Sequence, residues 1–276
     1  MDFYIELNNG MRLKGIIVSP GEKNRAMIIL IHGLGEHIGR YHEWANLFAE
    51  KGIGFVGVDL PGHGQSSGRR GHIRNFDVIN EIINVLINTV SQTFPSVPVY
   101  LYGHSLGGTF ALNYLIKKNP KLAGAIITSP WLKLSFKPPK IKIVLAKALN
   151  YVYPWLIQRS GLNAGHISRD SEVVENYKSD PLGHGKISVR LFNIAMKSVN
   201  HVLRNSANLK TRTLILHGGD DKITSPEASR NLAAGNRKID FVEIDEGYHE
   251  LHNEAFIKHR VFKIIMDWID NKPITV

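Results

Sequence analysis

The chain has 276 residues, 43% of them hydrophobic, with 34 Lys and Arg against 24 Asp and Glu and no cysteine. That length buries one large core plus an elaboration without needing two independent domains, and the missing cysteines exclude disulfides, zinc-thiolate sites and a cysteine nucleophile. The formal charge of +10 is scattered and accompanied by no DNA- or RNA-binding motif, so no nucleic-acid partner is expected; a basic surface suits anionic interfaces such as lipid head groups, or simple solubility.

Met1 to Glu6 shows neither the basic nor the apolar stretch of a signal peptide, and no apolar run nears about 18 residues. A cytoplasmic protein, at most peripheral to a membrane, is expected. Phe3 to Leu7 and Leu13 to Val18 flank Asn8-Asn9-Gly10 and read as a β-hairpin. Ala26 to Ile31 and Ile53 to Val58 are richer in Ile, Val and Leu, as strands covered on both faces should be. Immediately after the first of these, His32-Gly33-Leu34-Gly35 forms a glycine-flanked turn, and the backbone N–H of Leu34 is assigned there as an oxyanion donor. Helices are expected over Tyr41 to Lys51 and Asp77 to Phe94.

The most informative stretch follows. Val97 to Tyr102 reads as a buried strand, Gly103-His104-Ser105-Leu106-Gly107 as a tight turn, and Thr109 to Lys118 as a helix. Strand, Gly-x-Ser-x-Gly turn and helix together are the context of a nucleophile elbow. Ser105 is the candidate nucleophile, and the Leu106 N–H is the second oxyanion donor. A further strand runs from Gly124 to Thr128. About 80 residues then separate it from the next, Arg212 to Leu216, whereas a plain crossover needs about a dozen. An inserted lid over residues 130–205 is the economical explanation, leaving 1–129 and 206–276 as the core. Within the lid, Ile141, Val144, Leu145, Ala148, Leu149 and Val152 fall at helical spacing, so an amphipathic helix is expected. That stripe either packs on the body or, with Trp131, Leu134, Phe136, Tyr153 and Trp155 and the interleaved Lys133, Lys137, Lys140 and Lys142, rests on a membrane or micelle surface.

A serine hydroxyl needs an imidazole to take its proton and a third group to orient that imidazole. After Arg212 to Leu216 the turn His217-Gly218-Gly219-Asp220-Asp221 offers two carboxylates, and after the strand Phe241 to Ile244 the segment Glu246-Gly247-Tyr248-His249-Glu250 offers a base. Helices Ser225 to Ala234 and Glu254 to Asn271 complete the alternation, which implies right-handed crossovers and an α/β fold, an eight-stranded, mostly parallel sheet with helices on both faces. His32, His37, His42, His63 and His72 lack His-Glu-x-x-His spacing, and Gly33 and Gly35 run into the anion Glu36. Neither a metal nor a nucleotide cofactor is expected.

His32-Gly33-Leu34-Gly35-Glu36-His37 with Gly39-Arg40-Tyr41, Asp59-Leu60-Pro61-Gly62-His63-Gly64, Gly103-His104-Ser105-Leu106-Gly107-Gly108, Ser129-Pro130-Trp131-Leu132, Ser168-Arg169-Asp170, Asp180-Pro181-Leu182 and Tyr248-His249-Glu250-Leu251-His252 are spread along nearly the whole chain. Together they resemble the monoacylglycerol lipase and lysophospholipase group of the α/β-hydrolase superfamily. The resemblance implies Ser105 as nucleophile, Asp221 rather than Asp220 as acid, and His249 rather than His252 as base. It also implies a serine carboxylic-ester hydrolase acting on monoacylglycerols or similar single-chain lipid esters. The competing expectations are a broad short-chain carboxylesterase or lysophospholipase with the same triad, an aminopeptidase-like hydrolase using lid carboxylates such as Glu172 or Glu175 to hold a free amine, and a non-catalytic ligand-binding protein on the hydrolase fold.

Overall fold

The computed structural model describes residues 1–21, 24–137, 139–271 and 273, without the side chains of Lys140 and Lys142. β1 (Asp2–Glu6) and β2 (Arg12–Val18) form the opening antiparallel hairpin, turning through Gly10 at φ 77°. β3 (Ala26–Ile31), α1 (His42–Ala49), β4 (Ile53–Val58), α2 (Phe76–Thr93), β5 (Val99–His104), α3 (Ser105–Lys118) and β6 (Gly124–Thr128) follow. The insertion then contributes α4 (Lys140–Val152), β7 (Ile157–Arg159), α5 (Ser171–Ser179), β8 (Lys186–Ser188) and α6 (Val189–Asn205). The core resumes with β9 (Thr213–Gly218), α7 (Pro226–Ala234), β10 (Ile239–Ile244) and α8 (Lys258–Ile269).

The eight-stranded sheet has the order β1-β2-β4-β3-β5-β6-β9-β10, parallel from β4 to β10. Its side chains alternate between two cores. Ile29 and Ile31 of β3 face α2 and α3, whereas Ile28 and Leu30 join Trp44 and Phe48 of α1 and Phe262 and Trp268 of α8. Burial on both faces is why the central strands carry unbroken Ile, Val and Leu runs. The parallel pairing puts the strands' carboxyl ends on one edge, where ligand sites of such sheets lie.

Among the element boundaries that differ from expectation, two have clear local reasons. The helix after the elbow begins at Ser105 itself, not Thr109, because the turn is the helix's first turn. The last helix begins at Lys258, not Glu254, whose carboxylate is engaged by the amides of Arg169 and Tyr248.

The insertion has two kinds of helix. α6 lies along α3 and sends Leu191, Ala195 and Val202 into the same core. α4 rests on α6 through Ala146 and Asn150, whose carbonyls accept from Asn193 Nδ2 at 2.9 Å and Arg190 Nη2 at 3.3 Å. Most of the apolar stripe does not pack on the body: Ile141 is 72% exposed, Val144 63%, Leu145 54% and Val152 77%, whereas Leu149 is half-buried. Tyr153 and Trp155 are exposed as well, whereas Trp131 is buried. Pro138 and the side chains of Lys140 and Lys142 lie outside the described residues. Among the described residues no helix is long and apolar enough to cross a membrane.

Candidate active site

Ser105 occupies the left-handed region at φ 53°, a strained conformation for a residue with a side chain. The turn is tight enough to need glycine on both flanks. A Cβ at Gly107 would overlap the carbonyl oxygens of Ile31 and His32, and one at Gly103 would fall 2.7 Å from Gly108 Cα. Gly107 thus lets the start of α3 press against the end of β3, bringing the His32-Gly33-Leu34 loop beside Ser105.

The side chains expected from the sequence converge. Ser105 Oγ stands 2.9 Å from His249 Nε2, and His249 Nδ1 stands 2.7 Å from Asp221 Oδ2. Asp221 follows β9 and is fixed by the amides of Ile223 (2.7 Å) and Thr224 (3.0 Å) on Oδ1, and by the Thr224 hydroxyl (2.8 Å) on Oδ2. His249 follows β10, and its carbonyl accepts from Ser129 Oγ at 2.8 Å. Asp220 and His252, the alternatives left open by the bare residues, lie elsewhere. Asp220 pairs with Arg169 at the surface, and His252 is buried in a stack on Tyr41 with centroids 4.4 Å apart.

Burial works against a charged His249, but the charge and hydrogen bond of Asp221 outweigh it and raise the imidazole pKa above its ordinary value. Burial likewise opposes the Asp221 carboxylate, yet His249 and His217 hold its pKa well below the carboxylate range. His104, 4.9 Å from His249 between ring centroids, is kept neutral first by burial and then by His249 itself.

Leu34 lines the small chamber at Ser105, and among the described residues its amide donates to no protein acceptor. Leu106 lies in the first turn of α3, where amides have no intrahelical acceptor. Both expected oxyanion donors therefore lie beside Ser105.

Three features were missed from the sequence. His217 Nε2 is a further neighbour of Asp221 Oδ2 at 3.1 Å, with its Nδ1 2.8 Å from Ser229 Oγ, so the acid is gripped from behind. His32 is structural: Nε2 accepts from the Leu60 amide at 2.8 Å, which leaves the Nδ1 proton for the Gly33 carbonyl. The third is a buried ionic cluster, in which Arg40 meets Glu250 at 2.6 Å and approaches Glu36 at 3.9 Å. Glu36 Oε1 accepts from the Gly33 amide and from Tyr41 Oη, bracing the loop that carries Leu34. Burial, then the neighbouring Glu250, pushes Glu36 up to about 7, whereas Arg40 overcomes burial to keep Glu250 below its usual range. The contiguous motif containing Glu36 and Arg40 was visible; their pairing with Glu250, 210 residues from Arg40, was not.

Two cavities meet at the site. A chamber of ≈ 20 Å³ beside Ser105 has polar walls from Glu36, Glu250, Tyr177 and Asn163. A second, of ≈ 170 Å³, is lined mainly by apolar side chains including Trp131, Leu134, Phe136, Ile187 and Phe192. Leu34 and Leu162 line both. Trp131, Leu134 and Phe136 thus line this cavity, Trp131 buried and the other two half-buried. Glu172 and Glu175 sit exposed on α5, away from the chamber, and Glu175 pairs with Lys178.

Residues 22–255 match the family model described as Serine aminopeptidase, S33 (Hydrolase_4). An uncharacterized abhydrolase domain-containing protein of Dictyostelium discoideum is 36% identical over 92% of this chain, which spans only 27% of that relative's length. Phospholipase YtpA of Bacillus subtilis is 33% identical, covering 89% of this chain and 95% of the relative. Human monoglyceride lipase is 30% identical, covering 93% and 86%. The crystal structure of a monoacylglycerol lipase from Paleococcus ferrophilus superposes with a TM-score of 0.86 at 31% identity, covering 94% of this chain and 98% of that one.

Proposed function

The chain belongs to the Serine aminopeptidase, S33 family of α/β-hydrolases, and from that premise we propose that it is a serine hydrolase cleaving monoacylglycerols or similar single-chain lipid esters. The observation that carries this reading is the adjacency of two unlike cavities, a polar one at Ser105 and an apolar one that shares its Leu34 and Leu162 walls. The apolar cavity suits an acyl chain; the chamber walled by Glu36, Glu250, Tyr177 and Asn163 suits a small polyhydroxy alcohol.

Ser105 Oγ attacks the ester carbonyl as His249 Nε2 takes its proton, and Asp221 keeps the remaining proton on Nδ1. The Leu34 and Leu106 amides receive the oxyanion of the tetrahedral intermediate. His249 then protonates the departing alcohol, and water repeats the sequence on the acyl-enzyme. No step calls for a cofactor.

Within residues 130–205, the part that covers Ser105 acts as the lid, while α6 stays seated on α3. Asn163, Ala164 and Ile167 of this segment roof Ser105, and ≈ 20 Å³ admits little more than a water molecule, so substrate entry requires the lid to shift. The outward apolar stripe of α4, with Tyr153 and Trp155, forms a face for peripheral contact with a lipid surface, from which single-chain esters are drawn. The exposed positions of Glu172 and Glu175 remove these lid carboxylates as holders of a substrate's amine, and Glu250, the carboxylate held ionised at the chamber, is already engaged by Arg40.

The test is a rate comparison across monoacylglycerols, lysophospholipids, triacylglycerols and a chain-length series of p-nitrophenyl esters. Each buried methylene contributes about 0.8 kcal/mol, so kcat/KM should rise steeply with acyl length until the apolar cavity is filled. Monoacylglycerol should be the preferred head-group class. A flat response confined to short esters supports the broad carboxylesterase instead, and a preference for lysophospholipid supports that alternative.

A further inference from the structure

A second polar cavity, of ≈ 210 Å³ and open to solvent, lies where α2, α3 and α6 meet. Four of its lining side chains are cations: Arg74 before α2, Lys117 on α3, and Arg190 and Lys197 on α6. Among the described residues, none of the four has a carboxylate at ion-pair distance. Asp77, in the first turn of α2, is engaged by Asn80 Nδ2 at 3.4 Å and does not line the cavity.

Unneutralised cations on a basic surface are ordinary, but this cavity also has a buried polar wall. Asn113 of α3 lines it, is only 2% exposed, and has no hydrogen-bond partner for Oδ1. A buried amide oxygen left unpaired in this way costs stability unless a donor reaches it or the amide turns over. Its two ends exchange by a simple flip, so it can present an N–H to an anion. The amino end of α2, capped by Asn75, adds the positive pole of an 18-residue helix. The local field is positive beyond the cavity too: after burial, Lys117 depresses His201 and Arg190 depresses His72.

We propose that this cavity binds a phosphoryl group, held by Arg74, Lys117, Arg190 and Lys197 and hydrogen-bonded by Asn113. Several charged oxygens match several convergent donors, and guanidinium forks suit phosphate oxygens best. The site is distinct from the ester site and independent of how that site is read: Asn113 lies eight residues along α3 from Ser105, about 12 Å of helix rise. Its occupant bridges the insertion, through Arg190 and Lys197, to the body, through Arg74 and Lys117. The phosphoryl group comes either from a soluble phosphate monoester or from an anionic lipid head group.

The experiment uses the full chain. Inorganic phosphate and glycerol 3-phosphate are titrated by calorimetry and thermal shift at constant ionic strength, with sodium chloride as filler, and phosphatidylcholine vesicles with and without phosphatidate are tested by co-sedimentation. Saturable binding in the soluble arm identifies a soluble phosphate; binding only to phosphatidate vesicles identifies a lipid head group; either supports the site if Arg74→Gln with Lys197→Gln weakens it at least about tenfold. That double variant is on the surface and should hydrolyse a short soluble ester at the wild-type rate. Asn113→Leu should also lose the response, and if it fails to fold the double variant still decides. Chloride reproducing the effect, no response to any probe, or unaltered binding by the double variant would overturn the proposal.

Discussion

Replacing Asp221 by Asn tests the site most sharply, because the structure dictates which way the new amide must sit. Oδ1 accepts two backbone N–H groups, from Ile223 at 2.7 Å and Thr224 at 3.0 Å. Turning an NH2 toward them strands two buried donors at about 1–3 kcal/mol each, so the Asn oxygen takes the Oδ1 position. Its NH2 then replaces Oδ2 and points at His249 Nδ1, 2.7 Å away in the parent. Thr224 can respond by reversing its hydroxyl, and His217, whose Nε2 also faces this position at 3.1 Å, by keeping its proton on Nδ1 toward Ser229. His249 can accept only by moving its proton to Nε2, which then faces Ser105 Oγ as a donor and can no longer remove a proton. The expected cost is about 10⁴ in kcat, or about 5.4 kcal/mol of transition-state stabilisation, on a short p-nitrophenyl ester. The melting temperature should change little, since the backbone contacts survive. Asp220→Asn, which disturbs only an exposed pair with Arg169, should leave kcat nearly unchanged. Retention of activity within about tenfold by Asp221→Asn, or the opposite ranking of the two variants, refutes the reasoning.

Ser105→Ala should lower kcat by about 10⁴ to 10⁶ with little loss of stability, and a fluorophosphonate probe that labels another residue while sparing Ser105 would contradict the assignment. Because His249 must be neutral to act as base and its pKa is raised, kcat/KM should fall as pH drops through a midpoint above 6.5. The stabilisation from the charged His249–Asp221 pair runs the other way: it is full below the unfolded imidazole pKa and lost as pH rises through the folded one. An acidic limb centred below 6.5 argues against the pairing. Glu36→Ala leaves the Gly33 amide and Tyr41 hydroxyl without their acceptor, and should lower kcat by about 10²-fold through a loosened oxyanion loop. Glu36→Gln, which keeps the oxygen, should recover most of it, and equal losses would mean that the charge and not the acceptor matters. Leu145→Ser with Leu149→Ser should reduce vesicle association and activity on long monoacylglycerols while sparing short esters; loss on both, with a lowered melting temperature, would show that the face is only packing.

The strands and the triad were legible because their signals are local. A run such as Ala26–Ile31 announces burial on both faces, and Gly103 and Gly107 mark a turn with no room for side chains. The orientation of the amphipathic stripe was not legible. Helical spacing says that one side of α4 is apolar, but it does not say that Ala146 and Asn150 turn inward and Leu145 outward, since that depends on where α6 lies. Trp131 and Phe136 were drawn outward for the same reason, and tertiary contact turns them toward the cavity instead. The Arg40–Glu250 pair joins segments remote in sequence, and such partners carry no periodic trace.

The insertion between β6 and β9 interrupts two strands that are neighbours in the sheet. Loop-closure entropy grows only with the logarithm of length, so about 80 intervening residues in place of about a dozen raise the cost of pairing those strands by roughly 1.7 kcal/mol. Recombination in this stretch is therefore inexpensive wherever α6 keeps its seat on α3. Descendants of such a chain can exchange the wall around the acyl group, and with it the molecules they consume, while inheriting the chemistry at Ser105 unaltered.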